Sequence, residues 1–227
     1  MFCQHCGNKL EQSDLFCDSC GAKNSQNRFQ GEVTDAIKDS AQNALSSFKH
    51  IVVNPVGNLH SAYNSLDRKQ TIGVGVVYSV IFNAFFTIGI YLMLKNTLGG
   101  FMGNIPVGIF FKLILCGFVP VVGIAAASAL LRQIFHSEGG LESDIFIAGV
   151  ALLPAGICML ISGFVGILNV EVIAAVSVFA LSYTILIIFT GFTRILKISD
   201  AGSAIAVPVC LLISIWLSKV MLTSIIS

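Results

Sequence analysis

Residues 145–193 read IFIAGVALLPAGICMLISGFVGILNVEVIAAVSVFALSYTILIIFTGFT, and Glu171 is the only charged residue among them. A helix crosses the roughly 30 Å of hydrocarbon in a bilayer with about 20 apolar residues. This stretch is far too long for one crossing. It predicts two, 145–169 and 172–193, folded back on each other around Asn169–Glu171. Polar and apolar residues do not alternate with a period of two, so membrane β-strands are a poor reading.

The same pattern extends in both directions. Thr71–Leu94 is uncharged, residues 105–131 are broken only by Lys112, and residues 202–226 only by Lys219. The predicted fold is an all-α polytopic membrane protein, a five-helix transmembrane bundle over 71–227. Composition agrees. Of 227 residues, 55% are hydrophobic and 11% charged, against about 25% charged in ordinary soluble domains. Residues 1–70 hold 14 of the 25 charges. The remainder lacks the charge to solvate a globule or to stay disordered. A formal net charge of +1 excludes a strongly basic nucleic-acid binder.

No basic n-region followed by an apolar core precedes the first span, so we expect that span to be retained. Basic residues set the expected orientation. Arg68, Lys69, Arg132, Arg194 and Lys197 fall on one side, against Lys95 and, with outward-reaching side chains, Lys112 and Lys219. The bias predicts a cytoplasmic N-terminus and a C-terminus outside, in the cell membrane.

Residues 1–24 carry a different chemistry. Cys3-Gln-His-Cys6-Gly7 and Cys17-Asp-Ser-Cys20-Gly21 repeat one CxxCG unit. Each turn sets two sulfurs about one tetrahedral edge apart, and the glycine can take φ > 0 so that backbone N–H groups face the sulfurs. Two such knuckles supply the four thiolates of a structural zinc site. Cys3, Cys6, Cys17 and Cys20 are therefore the expected ligands of one ion. A redox dithiol needs only one such pair, and disulfides need an oxidising compartment. His5 can replace a thiolate but reads better as a solvated turn residue. A saturated shell leaves no open position for catalysis, and so short a segment takes its folding free energy from the metal. Residues 1–30 carry three basic and three acidic groups, and four thiolates on zinc add about −2. A phosphate-binding surface should be positive, so the module reads as a protein-contact or structural element.

Residues 25–32 are a polar linker, and residues 33–70 are juxtamembrane. Val33, Ile37, Ala41, Leu45, Phe48 and Val52 recur at helical spacing, and Asn54-Pro55 should stop that helix. Leu59, Ala62, Tyr63 and Leu66 form a second stripe. Such segments either lie on lipid or pack on the bundle. Within the spans, Gly123/Ala127 and Ser162/Gly166 are small-xxx-small pairs suited to close helix approach. Pro120, Pro154 and Pro208 fall inside spans. Cys116, Cys158 and Cys210 read as core packing, and Asn83 and Tyr183 as interhelical hydrogen bonders. All acidic residues beyond residue 71 fall in loops or at span ends, which argues against a proton- or cation-coupled transporter.

The Asn54-Pro55 pair before the first span, five spans, Pro154 in the third and the Gly191 region after the fourth together resemble the Yip family of membrane proteins over roughly residues 45–227. The CxxCG module in front is similar to those attached to many bacterial membrane proteins, Yip-like ones included. The resemblance implies a cytoplasmic N-terminus and carries over no biochemical activity. The expected function is non-enzymatic: membrane interaction or scaffolding, with protein partners or self-association and no nucleic acid. The alternative is a small-molecule or lipid transporter built on proline-kinked spans, with a continuous cavity bordered by Pro120, Pro154 and Lys112.

Overall fold

The computed structural model describes residues 5–9, 19–20, 36–48, 51, 54–102, 107–166 and 169–226. Among them the fold is all-helical. Helix α1 covers 36–48, α2 Pro55–Asn64, α3 Arg68–Met102, α4 Val107–Ile134, α5 Leu141–Val165, α6 Val170–Thr190 and α7 Asp200–Ile226. A π-helical turn, Gly191–Ile195, extends α6. Five of these helices are long and apolar enough to cross a membrane. The protein is a polytopic helical bundle.

The α5–α6 reversal lies earlier than the sequence suggested. Gly166 ends α5 with φ +78°, a conformation that disfavours a Cβ, and Asn169 caps α6. The lone charge at Glu171 therefore sits in the first turn of α6 instead of marking the bend. Gly166 is a helix stop and not half of a packing pair with Ser162.

The closest contact in the bundle joins α3 and α5, which run parallel. A Cβ on Gly149 would lie 2.3 Å from the Gly75 carbonyl oxygen, one on Gly156 would lie 3.2 Å from Phe82 Cα, and one on Gly163 would lie 2.5 Å from the Gly89 carbonyl oxygen. These pairs share one register, the same 74-residue separation that joins Arg68 to Glu142. Glycines 149, 156 and 163 thus repeat every seven residues. A seven-residue repeat keeps two supercoiled helices in contact, and in lipid, where water supplies no driving force between helices, small residues give the backbone approach that does. The second close pair is α4 with α7, where Gly123 meets Ser214 Cα and Ala127 is buried, as the small-xxx-small reading expected. Asn83 crosses from α3 to donate to the Ile114 carbonyl of α4 at 3.0 Å.

Both juxtamembrane segments pack on the bundle. Ser40 sits over Gly73, and Tyr78 in α3 donates to the Ala44 carbonyl at 2.7 Å. Tyr78 lies ten residues into α3, about 15 Å along its axis. The buried face of α1 is Ala44 and Ser47, and Ile51 beyond it is buried too, while Ile37 and Leu45 are 61% and 75% exposed. The apolar stripe read from sequence was therefore rotated from the face that meets the protein. Asn54-Pro55 does more than end a helix. Asn54 Oδ1 accepts from Gly57 N at 2.9 Å, and Pro55 opens α2 with the φ and missing N–H that a first helical position suits. Leu59 in α2 is fully buried, and Tyr63 meets the Phe146 ring edge-on at 5.6 Å. Cys116, Cys158 and Cys210 are buried, in line with a packing role.

Candidate metal centre and the charged end of the bundle

The two cysteine knuckles are placed side by side. His5–Cys6 and Ser19–Cys20 each form a turn, and Gly7 has φ +75°. Nothing lies within 4 Å of a Cβ built on Gly7, so the demand for glycine there is conformational. Asn8 Nδ2 donates to Ser19 Oγ, which joins the residue after one knuckle to the residue before Cys20 in the other. Cys6, Cys20 and His5 are exposed. Cys3 and Cys17 lie outside the described residues, and only half of the expected ligand set can be located. Among the described residues no three His, Cys, Asp or Glu side chains come together as a metal site.

The left-handed glycine and the bridge between knuckles are what two convergent CxxCG turns require. Residues 2–24 match the zinc-ribbon domain family. The N-terminal module is a zinc ribbon. The match ends at residue 24 and does not reach the helices. No curated protein and no solved structure matches the chain. A zinc ribbon of this size folds on its metal. Treatment of the purified protein with a strong chelator should therefore release zinc and open the ribbon to proteolysis while helix content from α2 to α7 persists. Metal analysis and limited digestion read the two halves of that expectation, and a ribbon equally resistant without metal would refute it.

The bundle presents a charged end built from three reversals, α2–α3, α4–α5 and α6–α7. Arg68 pairs with Glu142 at 3.2 Å and Lys197 with Glu138. Glu138 N also donates to the Leu196 carbonyl at 3.1 Å, tying two of the reversals together. Lys197 holds φ +55° where the chain turns sharply from the π-helical turn into α7. The sequence reading placed Arg68, Lys69, Arg132, Arg194 and Lys197 on one side, and the structure brings Arg68, Arg132 and Lys197 to this one end through their acidic partners.

One group departs from expectation. Asp144 reads in the sequence as a residue just ahead of the third span. In the structure it lies within the first turn of α5 and is completely buried. Its Oδ1 accepts from Ser128 Oγ at 2.6 Å, and its Oδ2 accepts from Arg132 Nε at 3.3 Å and Nη2 at 3.2 Å. Arg132 Nη1 continues to the Gly139 carbonyl at 3.3 Å. Ser128 and Arg132 stand one helical turn apart on α4, so one carboxylate receives both. The arrangement saturates a buried carboxylate, which burial would otherwise penalise heavily. It clamps α4 to α5 at the charged end. The sequence signal was present, since Ser128-x3-Arg132 faces Asp144 across a short reversal.

Outside the spans, burial and the nearby Glu142 carboxylate push the Tyr63 phenol above its ordinary range. It stays protonated at neutral pH and anchors α2 beside the charged end.

Pro154 lines a largely apolar cavity of about 410 Å³ between α1, α3, α5 and α6. Pro120 lines a groove of about 660 Å³; Cys158 borders both, and Lys112 lines neither.

Proposed function

We propose that this chain is a non-enzymatic interaction protein of the bacterial inner membrane, a Yip-like member whose zinc ribbon docks a cytoplasmic protein partner. Cys3, Cys6, Cys17 and Cys20 hold one structural zinc ion. That ion supplies folding free energy to the ribbon, and the partner contacts come from the chain's own exposed side chains. The N-terminus faces the cytoplasm and the C-terminus the outside. The basic residues gathered at the charged end support this orientation, because the positive-inside bias counts Lys and Arg irrespective of neighbouring carboxylates.

One observation carries the reading. The ribbon's knuckles are exposed, while the helix that follows is fixed to α3 by Tyr78 and Ala44. The exposed ribbon turns offer a soluble partner the chain's own side chains, while α1, seated on α3 between Gly73 and Tyr78, gives the segment that follows the ribbon a fixed attachment to the bundle. Neutral charge in the ribbon favours a protein partner over a phosphate backbone.

The test is photo-crosslinking in native membranes from positions 5, 8 and 19. A discrete crosslinked protein is expected for the wild type and should disappear in Cys17→Ser/Cys20→Ser, with the bundle still inserted. Equal crosslinking with and without the ribbon's cysteines would overturn the proposal.

A further inference from the structure

α6 and α7 are joined tightly at the charged end, where Ile198 N donates to the Phe192 carbonyl at 2.9 Å. Away from that joint they border a groove of about 660 Å³, floored by α3, α4 and α5. Its walls include Pro120, Leu152, Met159, Leu181 and Ile215, and small residues at Ala155 and Ala180 make the room. Six hydroxyls also line it, and all but that of Ser177 spend their protons on backbone carbonyls. Ser162 donates to Cys158 at 2.9 Å, Thr184 to Ala151 at 2.9 Å, Ser214 to Pro120 at 3.3 Å, Ser218 to Ser214 at 2.8 Å and Thr223 to Val220 at 2.8 Å. The surface left over has few donors to offer and suits hydrocarbon better than water or a polar solute.

The groove has one charged side chain, Lys219. Among the described residues it pairs with no carboxylate. It lies 19 residues beyond Asp200, about 29 Å along α7 from the charged end. That distance is close to the thickness of bilayer hydrocarbon, about 30 Å. Lys219 therefore stands at the interface opposite the charged end, at the level where lipid headgroups lie. An apolar trough with a single cation at headgroup height matches an amphiphile with a negative head. The volume falls within the range of about 300–1,000 Å³ typical of small-molecule sites.

We infer that the α6–α7 groove binds one anionic phospholipid of the surrounding bilayer, its acyl chain along Pro120, Leu152 and Leu181 and its phosphate on the Lys219 ammonium. The site is independent of the ribbon and of any partner it docks.

Native mass spectrometry of the full chain, released from nanodiscs holding equal phosphatidylglycerol and phosphatidylcholine of matched acyl chains, tests the assignment. The wild type should retain a single lipid adduct enriched in phosphatidylglycerol. Lys219→Gln should lower that enrichment about fivefold, the value of one cation near an anionic headgroup. Lys112→Gln, at similar depth on α4 but outside the groove, should leave it unchanged. Ala180→Trp should remove the adduct of either lipid, and should that variant fail to fold, Lys219→Gln still decides. An enrichment that is absent in the wild type, or equal in wild type and Lys219→Gln, overturns the inference, as does an adduct surviving in folded Ala180→Trp.

Discussion

Gly149→Val is expected to prevent the bundle from assembling. The first added atom would sit 2.3 Å from the Gly75 carbonyl oxygen, nearer than real Cβ contacts come. The obstacle is main chain and has no rotamer into which to retreat. α3 and α5 would have to separate, and because they touch in one register from Gly75 to Gly163, separation at one point loosens the whole seam. Overpacking of a tight interior costs about 1–3 kcal/mol when side chains can adjust, and more when they cannot. Against total stabilities of about 5–15 kcal/mol, a loss at or beyond the top of the overpacking range removes much of the margin that keeps the bundle assembled in detergent. Gly108→Val makes the same chemical change where nothing lies within 4 Å and should be nearly silent. Thermal unfolding and size-exclusion profiles of the purified variants compare the two. A Gly149→Val protein as monodisperse and heat-resistant as Gly108→Val would show that the seam is not what holds the bundle.

Asp144→Ala should have the second-largest effect. It strips Arg132 and Ser128 of a shared acceptor in a site from which water is excluded. Breaking a buried pair by removing one partner costs about 3–5 kcal/mol. Asp144→Asn keeps an acceptor for Ser128 and should fall between alanine and wild type. Glu142→Ala is the matched control. It also removes a carboxylate from an arginine, but the Arg68 side chain is 76% exposed, and exposed pairs contribute at most about 1 kcal/mol. Denaturant titration followed by helix signal measures all three. Equal losses for Asp144→Ala and Glu142→Ala would mean that the carboxylate is effectively hydrated.

The five spans were legible because lipid imposes one strong rule, long apolar runs, and the sequence obeys it. The cysteine spacing was legible for a similar reason, since tetrahedral coordination fixes the ligand types and the turn. What escaped depended on which faces meet. Gly149, Gly156 and Gly163 stand out as a seven-residue repeat only once Gly75 and Gly89 lie opposite them. In an apolar run every face looks alike, and hydrophobic period no longer reports orientation. The α1 stripe misled for the opposite reason. Ile37 and Leu45 of that stripe are exposed and Phe48 is only partly buried, while Ala44 and Ser47 make the contact, because small side chains let α1 approach α3 closely. Asp144 was read among charges in loops or at span ends, and it does stand in the first turn of α5; its complete burial was not legible, because it depends on three donors that α4 brings across.

The parallel pairing of the first and third crossings has a consequence during synthesis. Every residue of α3 in the seam leaves the ribosome 74 positions before its counterpart. At about 5–20 residues per second that is a delay of about 4–15 s. For that interval the notches at Gly75 and Gly89 face lipid or the insertion machinery, with the intervening crossing already made. A nascent chain arrested after α4 would therefore display an unfinished surface, a natural handle for whatever chaperones or degrades incomplete membrane proteins.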